Sequence, residues 1–321
     1  MTESSAVVAP LAVVAVHGVG NSFGRGLTIA QREERRRLRA TAWTGHLAAG
    51  LDVDPERLDV DFAYYADRLD AATGPPAQGL GPSQVLADPL AQEMMESWAG
   101  ALGMSRPPAQ GHLTLPVRQL TSWIARRFDL AEGPLRIFVQ LLFGEVATYL
   151  RAVDGKERVA ARDEVAARIV RHRPRVVVAH SLGSVVAYEA LHATPDAGVE
   201  LFLTLGSPLA MPGVVFERLD PAPAGASPAA RGIRPAGAAR WVNLADPGDP
   251  VAVPPGLANV FDGVHLDHTS VVGALFGFHH AKNYLRSAVT AATLSPYLDA
   301  LPHRHGRGGK DERDGEESTT P

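Results

Sequence analysis

Four short runs constrain this chain more than anything else in it: Leu11-Ala-Val-Val-Ala-Val16, Arg175-Val-Val-Val-Ala179, Glu200-Leu-Phe-Leu-Thr-Leu205 and Trp241-Val-Asn-Leu-Ala245. Each is nearly continuous in apolar, often β-branched residues. None is long enough for a buried helix, and none alternates as a half-exposed strand would. Runs of this kind read as strands buried on both faces, as in a parallel sheet. Parallel neighbours need a crossover between them, and helical patterns over 28–49, 158–172, 184–193 and 281–298 supply it. An alternating strand over 58–64 and a weak one over 260–266 complete the pattern. The expected class is α/β, a mostly parallel central sheet with helices on both faces.

The 321 residues suit one large domain, read here as 1–302. Between 71 and 116 the periodicity fails, with recurring Pro and Gly and a modest helix over 91–101. Helical patterns return over 117–128 and 135–153. Residues 71–150 are therefore expected to be a helical insertion, a cap over a site. Within it Ile137-Phe-Val-Gln-Leu-Leu-Phe143 is apolar on most sides; burial against the sheet is the preferred reading, lining of an acyl pocket the other. The charge run over 31–39 reads as a solvated helix face. The polar tail 303–321 is expected to be disordered.

Composition excludes several functions. There is no cysteine, so disulfides, thiolate nucleophiles and cysteine-bound metals are ruled out. A net charge of −4 gives no sign of a nucleic-acid partner. No run approaches the roughly 20 apolar residues of a membrane span, and Leu11–Val16 is ended too early by His17 and Gly18 to form a signal-peptide core. The expectation is a soluble, cytoplasmic protein without an integral membrane segment.

The chemistry concentrates at Ala179-His-Ser-Leu-Gly183, which lies between a strongly apolar strand and a helix. This is the strand–turn–helix setting of a nucleophile elbow, whose turn is so sharp that the residues two before and two after the serine must be small. Ala179 stands where glycine is usual. The competing role for Ser181 is a helix cap. Upstream, Gly18, Gly20, Gly24 and Gly26 are dense enough to suggest a phosphate loop. The Walker lysine and the third glycine of a dinucleotide fingerprint are both missing.

With these residues the chain resembles the α/β-hydrolase superfamily, and its Ala-His-Ser-x-Gly form is similar to the elbow of small bacterial lipases. The resemblance spans the core from Val13 to about Leu298, without 71–150. It implies Ser181 as nucleophile and an oxyanion hole from the N–H groups of Leu182 and of Val19, in the setting Val14-Ala-Val-His-Gly-Val-Gly20. The family order of serine, acid and histidine puts the acid beyond 241–245. There Asp249-Pro-Val251 matches the family pattern, and Asp246 is the alternative. The base is sought among His279, His280 and His268, ranked in that order because His279 precedes Tyr284-Leu285 as in the family. Only one of the adjacent His279 and His280 can face the site, since neighbouring side chains at a helix start diverge. His17 and His180 read as braces.

The expected function is cleavage of a carboxylic ester, of a small molecule or a lipid, through an acyl-enzyme, with no cofactor and no metal. A thioesterase or peptidase on the same machinery, or a non-catalytic hydrolase-fold binding module, are the alternatives.

Overall fold

The computed structural model describes residues 9–24, 26–70, 88–104, 117–128, 131–226, 228–272 and 279–299. The tail 303–321 and the parts 71–87 and 105–116 of the expected insertion lie outside them. The main sheet consists of β1 (Leu11–Val16), β2 (Leu58–Ala63), β3 (Val176–His180), β4 (Val199–Leu205), β6 (Ala238–Ala245) and β8 (Leu266–Thr269). A small second sheet pairs β5 (Gly232–Ile233) with β7 (Phe261–Asp262). Between the strands run α1 (Ile29–Leu51), α2 (Ala66–Asp70), α3 (Pro89–Ala101), α4 (Val117–Phe128), α5 (Glu132–Leu150), α6 (Lys156–His172) and α7 (Leu182–Ala193), and α8 (Ala281–Leu285) and α9 (Ala288–Asp299) follow the last strand.

Every pairing in the main sheet is parallel, in the order β2-β1-β3-β4-β6-β8. Successive side chains of a strand face opposite sides, and each strand feeds two cores. Val13, Ala15, Val176, Val178, Leu201 and Leu203 pack with Trp43 and Leu47 of α1, Leu285 of α8 and Leu294 of α9. Val14, Val16, Val177, Ala179 and Phe202 pack on the other face with residues of α2 through α7. The α/β architecture with helices on both faces follows from this two-sided burial.

Three elements differ from the sequence reading. The last helix is two, because Ser287 interrupts it: its hydroxyl accepts the Thr290 N–H at 3.1 Å and so starts α9. The weak strand over 260–266 is divided between β7, in the small sheet, and β8, at the edge of the main one. The charge run of α1 is not simply solvated. Arg36 pairs with Asp61 on the edge strand β2, and Arg32 with Asp67 on α2, clamping α1 to its neighbours.

The expected insertion is equally tied in. Met94 and Trp98 of α3, Leu120 and Ile124 of α4, and Val139, Leu142 and Phe143 of α5 share the core beneath the sheet.

The strand order sets where a ligand can enter. The chain passes from β1 out to β2, then returns across β1 to β3 and winds the other way. The loops leaving the carboxyl ends of β1 and β3 therefore diverge, which opens a crevice at this switch point. Here the β1 loop and the start of α7 nearly touch: a Cβ on Gly183 would lie 2.2 Å from the His17 carbonyl oxygen. Gly183→Ala should therefore destabilise the protein by about 1–3 kcal/mol, the usual range for overpacking. An unchanged midpoint in urea denaturation would contradict so close an approach.

Candidate active site

Ser181 is the residue at which β3 turns into α7. Its backbone lies at φ 56° and ψ −134°, a strained region for a residue with a side chain, costing on the order of 1–3 kcal/mol. Asp52 and Arg173 also have positive φ, but each is the left-handed cap that ends a helix. Ser181 instead begins one. It is not a side-chain cap: its hydroxyl makes no capping hydrogen bond, and Oγ is buried without a partner among the described residues.

The turn is held from several sides. The Ser181 N–H donates to Leu205 O of β4 at 3.1 Å. The Ser184 hydroxyl donates to Ser181 O at 2.6 Å and lies 2.7 Å from Ser207 Oγ. A Cβ on Gly18 would come within 2.5 Å of Ser181 Cβ, so glycine there lets the β1 loop pass over the serine. That loop carries Val19, and Leu182 is the first residue of α7, where an N–H has no intrahelical acceptor.

The β1 loop is fixed by its own network. His17 Nδ1 is 2.8 Å from Gly18 O, and His17 Nε2 accepts the Tyr65 N–H at 3.3 Å. A carbonyl can only accept, so His17 is the neutral Nδ1–H tautomer. The Tyr65 hydroxyl donates to His17 O, the Gly20 N–H to Glu145 Oε1, and the Asn21 amide to Gly18 O and Val19 O. The ring of His17 stacks on Tyr65 with centroids 4.3 Å apart. The brace expected of His17 is what is found.

Asp249 and Asp246 separate clearly. Asp249 is buried. Its Oδ2 lies 2.7 Å from His279 Nδ1 and accepts the Tyr284 hydroxyl at 2.7 Å, while Oδ1 accepts the Val251 N–H at 2.9 Å. Asp246 does turn chemistry, with Oδ1 accepting the Gly248 N–H and Oδ2 the Val272 N–H.

The histidines separate as well. His279 is buried. With Nδ1–H donated to Asp249, its Nε2 is left buried and, like Ser181 Oγ, without a hydrogen-bond partner among the described residues, so the two share a cleft with no hydrogen bond between them. His280 is exposed at the mouth of the same cleft. His268 sits on the edge strand β8, in register with Leu244, and does not line the cleft. The His180 ring packs on that of His279, centroids 4.6 Å apart, and the edge of Phe138 meets His279 from another side. Burial, together with the neighbouring imidazoles, keeps His180 neutral by pushing its pKa well down.

Three residues of this centre carry no motif. Tyr284 served in the sequence only as a landmark for the histidine. Here it donates to Asp249 and accepts the Asp246 N–H at 3.1 Å, so it links both aspartates of the loop. A Cβ on Gly206 would lie 2.8 Å from Asp249 Oδ2 and 3.1 Å from the Tyr284 ring, so the loop after β4 must be bare there. Trp98 of α3 donates its indole N–H to Pro250 O at 2.6 Å, which fixes the acid loop from within the 71–150 segment. The one cue to it was a tryptophan in a segment without other chemistry.

The crevice forms a cleft of about 720 Å³. Ser181, His180 and His279 lie along it with Gly18 to Asn21. Ile137, Phe138 and Leu141 of α5 make an apolar wall, and α1 and α8 the opposite one. In the run over 137–143, Val139, Leu142 and Phe143 are core, as the preferred reading has it, and Ile137, Phe138 and Leu141 line the cleft. Among the described residues there is no cluster of three or more metal-ligating side chains, and no helix is long and apolar enough to cross a membrane. No family model matches the chain, and no curated protein or solved structure is significantly similar to it.

Burial lowers the His17 pKa to about 4. The sign follows from the depressed value: the neutral ring stabilises the fold fully above about pH 6.5, and that contribution is lost as pH falls toward 4. Its size is on the order of 3 kcal/mol. An NMR titration should put the His17 midpoint near 4, with stability falling across this window. A midpoint at the ordinary histidine value would contradict the tautomer and its network.

Proposed function

We propose that this chain is a serine hydrolase of the α/β-hydrolase class that cleaves carboxylic esters by two-step acyl transfer. The observation that carries this reading is the backbone of Ser181. A positive-φ serine between strand and helix, its hydroxyl uncommitted in the same cleft as a carboxylate-held histidine whose Nε2 is free, has a chemical use and no evident structural one.

In this mechanism Ser181 Oγ attacks the ester carbonyl as His279 Nε2 takes its proton. Asp249 keeps the imidazole in the tautomer with Nε2 free, and stabilises the imidazolium. The Val19 and Leu182 N–H groups receive the oxyanion of the tetrahedral intermediate. Collapse expels the alcohol, which takes the proton from His279. Water then gives its proton to His279 and attacks the acyl-enzyme, and the acid leaves with Ser181 restored. Asp249 reaches this role with three donors on its carboxylate, so its orientation is set before substrate arrives.

The apolar wall of Ile137, Phe138 and Leu141 supports an ester with an acyl or alkyl portion, and on this reading α5 is the part of the expected cap that meets it. No cofactor enters the mechanism. Thioesters and amides run through the same steps, so thioesterase or peptidase activity on this machinery is not separated by the geometry. A non-catalytic binding module would have no use for the strain at Ser181.

A series of p-nitrophenyl esters of increasing chain length tests the reading. Ser181→Ala and Asp249→Asn should each lower kcat by about a thousandfold or more, with the fold intact. Tyr284→Phe removes one charge-assisted hydrogen bond from Asp249 and should cost about tenfold. Asp246→Asn, which leaves Asp249 and His279 in contact, should cost less than about tenfold. Near-normal turnover by Ser181→Ala contradicts the proposal, and the reverse order of the two aspartates contradicts the choice of acid.

A further inference from the structure

The two walls of the cleft differ in charge. Arg39, Ala42, Trp43 and His46 all line it from α1, and their spacing of three and four residues puts them on one face of that helix. His280 and Lys282 line it from the α8 side. A Cβ on Gly50 would lie 2.8 Å from the Leu285 carbonyl oxygen, so the C-terminal end of α1 lies against α8, and cations from both helices line the one cleft. No aspartate or glutamate lines this cleft.

Arg39 and Lys282 are the two cations of the cleft that carry the argument. Several arginines of the described structure are ion-paired, among them Arg32 with Asp67, Arg68 with Glu164, Arg158 with Glu189, Arg175 with Glu200, Arg218 with Glu93 and Arg231 with Asp262. Among the described residues neither Arg39 nor Lys282 has an acidic partner, although the chain carries a net charge of −4. The field of Lys282 is felt nearby, together with that of Arg286. His46 has a lowered pKa, first through burial and then through the positive charges of Arg286 and Lys282.

Two unpaired cations on the rim of a cleft whose floor is Ser181 and whose far wall is apolar define a ligand with two unlike ends. We propose that the substrate is an anionic amphiphilic ester: its apolar portion lies against Ile137, Phe138 and Leu141, and a carboxylate or phosphate on the other side of the ester meets Arg39 and Lys282. This rests on the reading of Ser181 as nucleophile and adds the substrate class to it. Arginine suits the task, since its planar fork matches the oxygens of either anion.

Binding and turnover test the two readings separately. Calorimetry of n-octyl phosphate with Ser181→Ala measures the anion site without catalysis. The double substitution Arg39→Gln/Lys282→Gln in that background should weaken binding by about tenfold or more, the size of a charge-assisted contact. Added salt should weaken the parent and not the substituted protein. Inorganic phosphate should not displace the amphiphile at matched concentration. Equal affinity of the two proteins for n-octyl phosphate overturns the proposal, and so does displacement by inorganic phosphate, which would mark a free-anion site. In the active protein, kcat/KM for the p-nitrophenyl monoester of glutaric acid should exceed that for p-nitrophenyl valerate, and that ratio should fall by about tenfold in Arg39→Gln/Lys282→Gln. An unchanged ratio overturns the proposal. If no ester is turned over while octyl phosphate still binds through Arg39 and Lys282, the nucleophile reading fails and the anion site stands.

Discussion

The sharp reversal of the chain at Ser181 is the constraint on which the rest of the centre depends. A side-chain-bearing residue at φ 56° and ψ −134° is held only if its surroundings over-determine it. They do so with the hydrogen bond to Leu205 O, the Ser184 hydroxyl on Ser181 O, and two glycines that let backbone pass within contact distance. Those requirements fix the spacing of β1, β3 and β4 at their carboxyl ends. The switch point of the sheet lies between β1 and β3, so the crevice and the strained serine coincide. The strain is stored where the sheet already opens to a ligand.

From this turn the other parts can be read outward. The loop after β1 lies over Ser181 and is kept rigid by a neutral, buried His17, so the N–H of Val19 is carried on a fixed backbone. The loop after β6 brings Asp249 to His279, and it is braced by Tyr284 from α8 and by Trp98 from α3. In the proposed mechanism, fixed donors and a fixed carboxylate need little reorganisation when charge develops. The helices of 71–150 contribute twice, bracing the acid loop through α3 and walling the cleft through α5.

The strands and the elbow were legible because their signals are local. A continuous β-branched run has few alternatives, and Ala179-His-Ser-Leu-Gly183 carries its own steric demand. Asp249 over Asp246 and His279 over His280 were ordered by resemblance, and the hydrogen bonds of the two loops follow the same order. Tyr284, Gly206 and Trp98 were not legible as parts of the centre. Their roles arise from contacts across 35 or more residues of chain, and nothing in their own neighbourhoods marks them. The amphipathic test also failed to divide the run over 137–143, because both faces of that stretch of α5 are apolar, one turned to the core and the other to the cleft. The charge run of α1 is exposed along most of its length, as expected, but Arg32 and Arg36 turn to Asp67 and Asp61, partners that lie on other elements and leave no mark in the run itself.

The central claim is that Ser181 is a nucleophile primed by its backbone and by His279. Covalent labelling with a fluorophosphonate at neutral pH tests it without knowledge of the substrate, since the phosphorus accepts attack only from an activated hydroxyl. The account predicts one adduct per chain, mapped by peptide mass spectrometry to Ser181, with labelling slowed by orders of magnitude in His279→Ala. An unlabelled Ser181 in the folded protein, or labelling that proceeds at the same rate in His279→Ala, would contradict it.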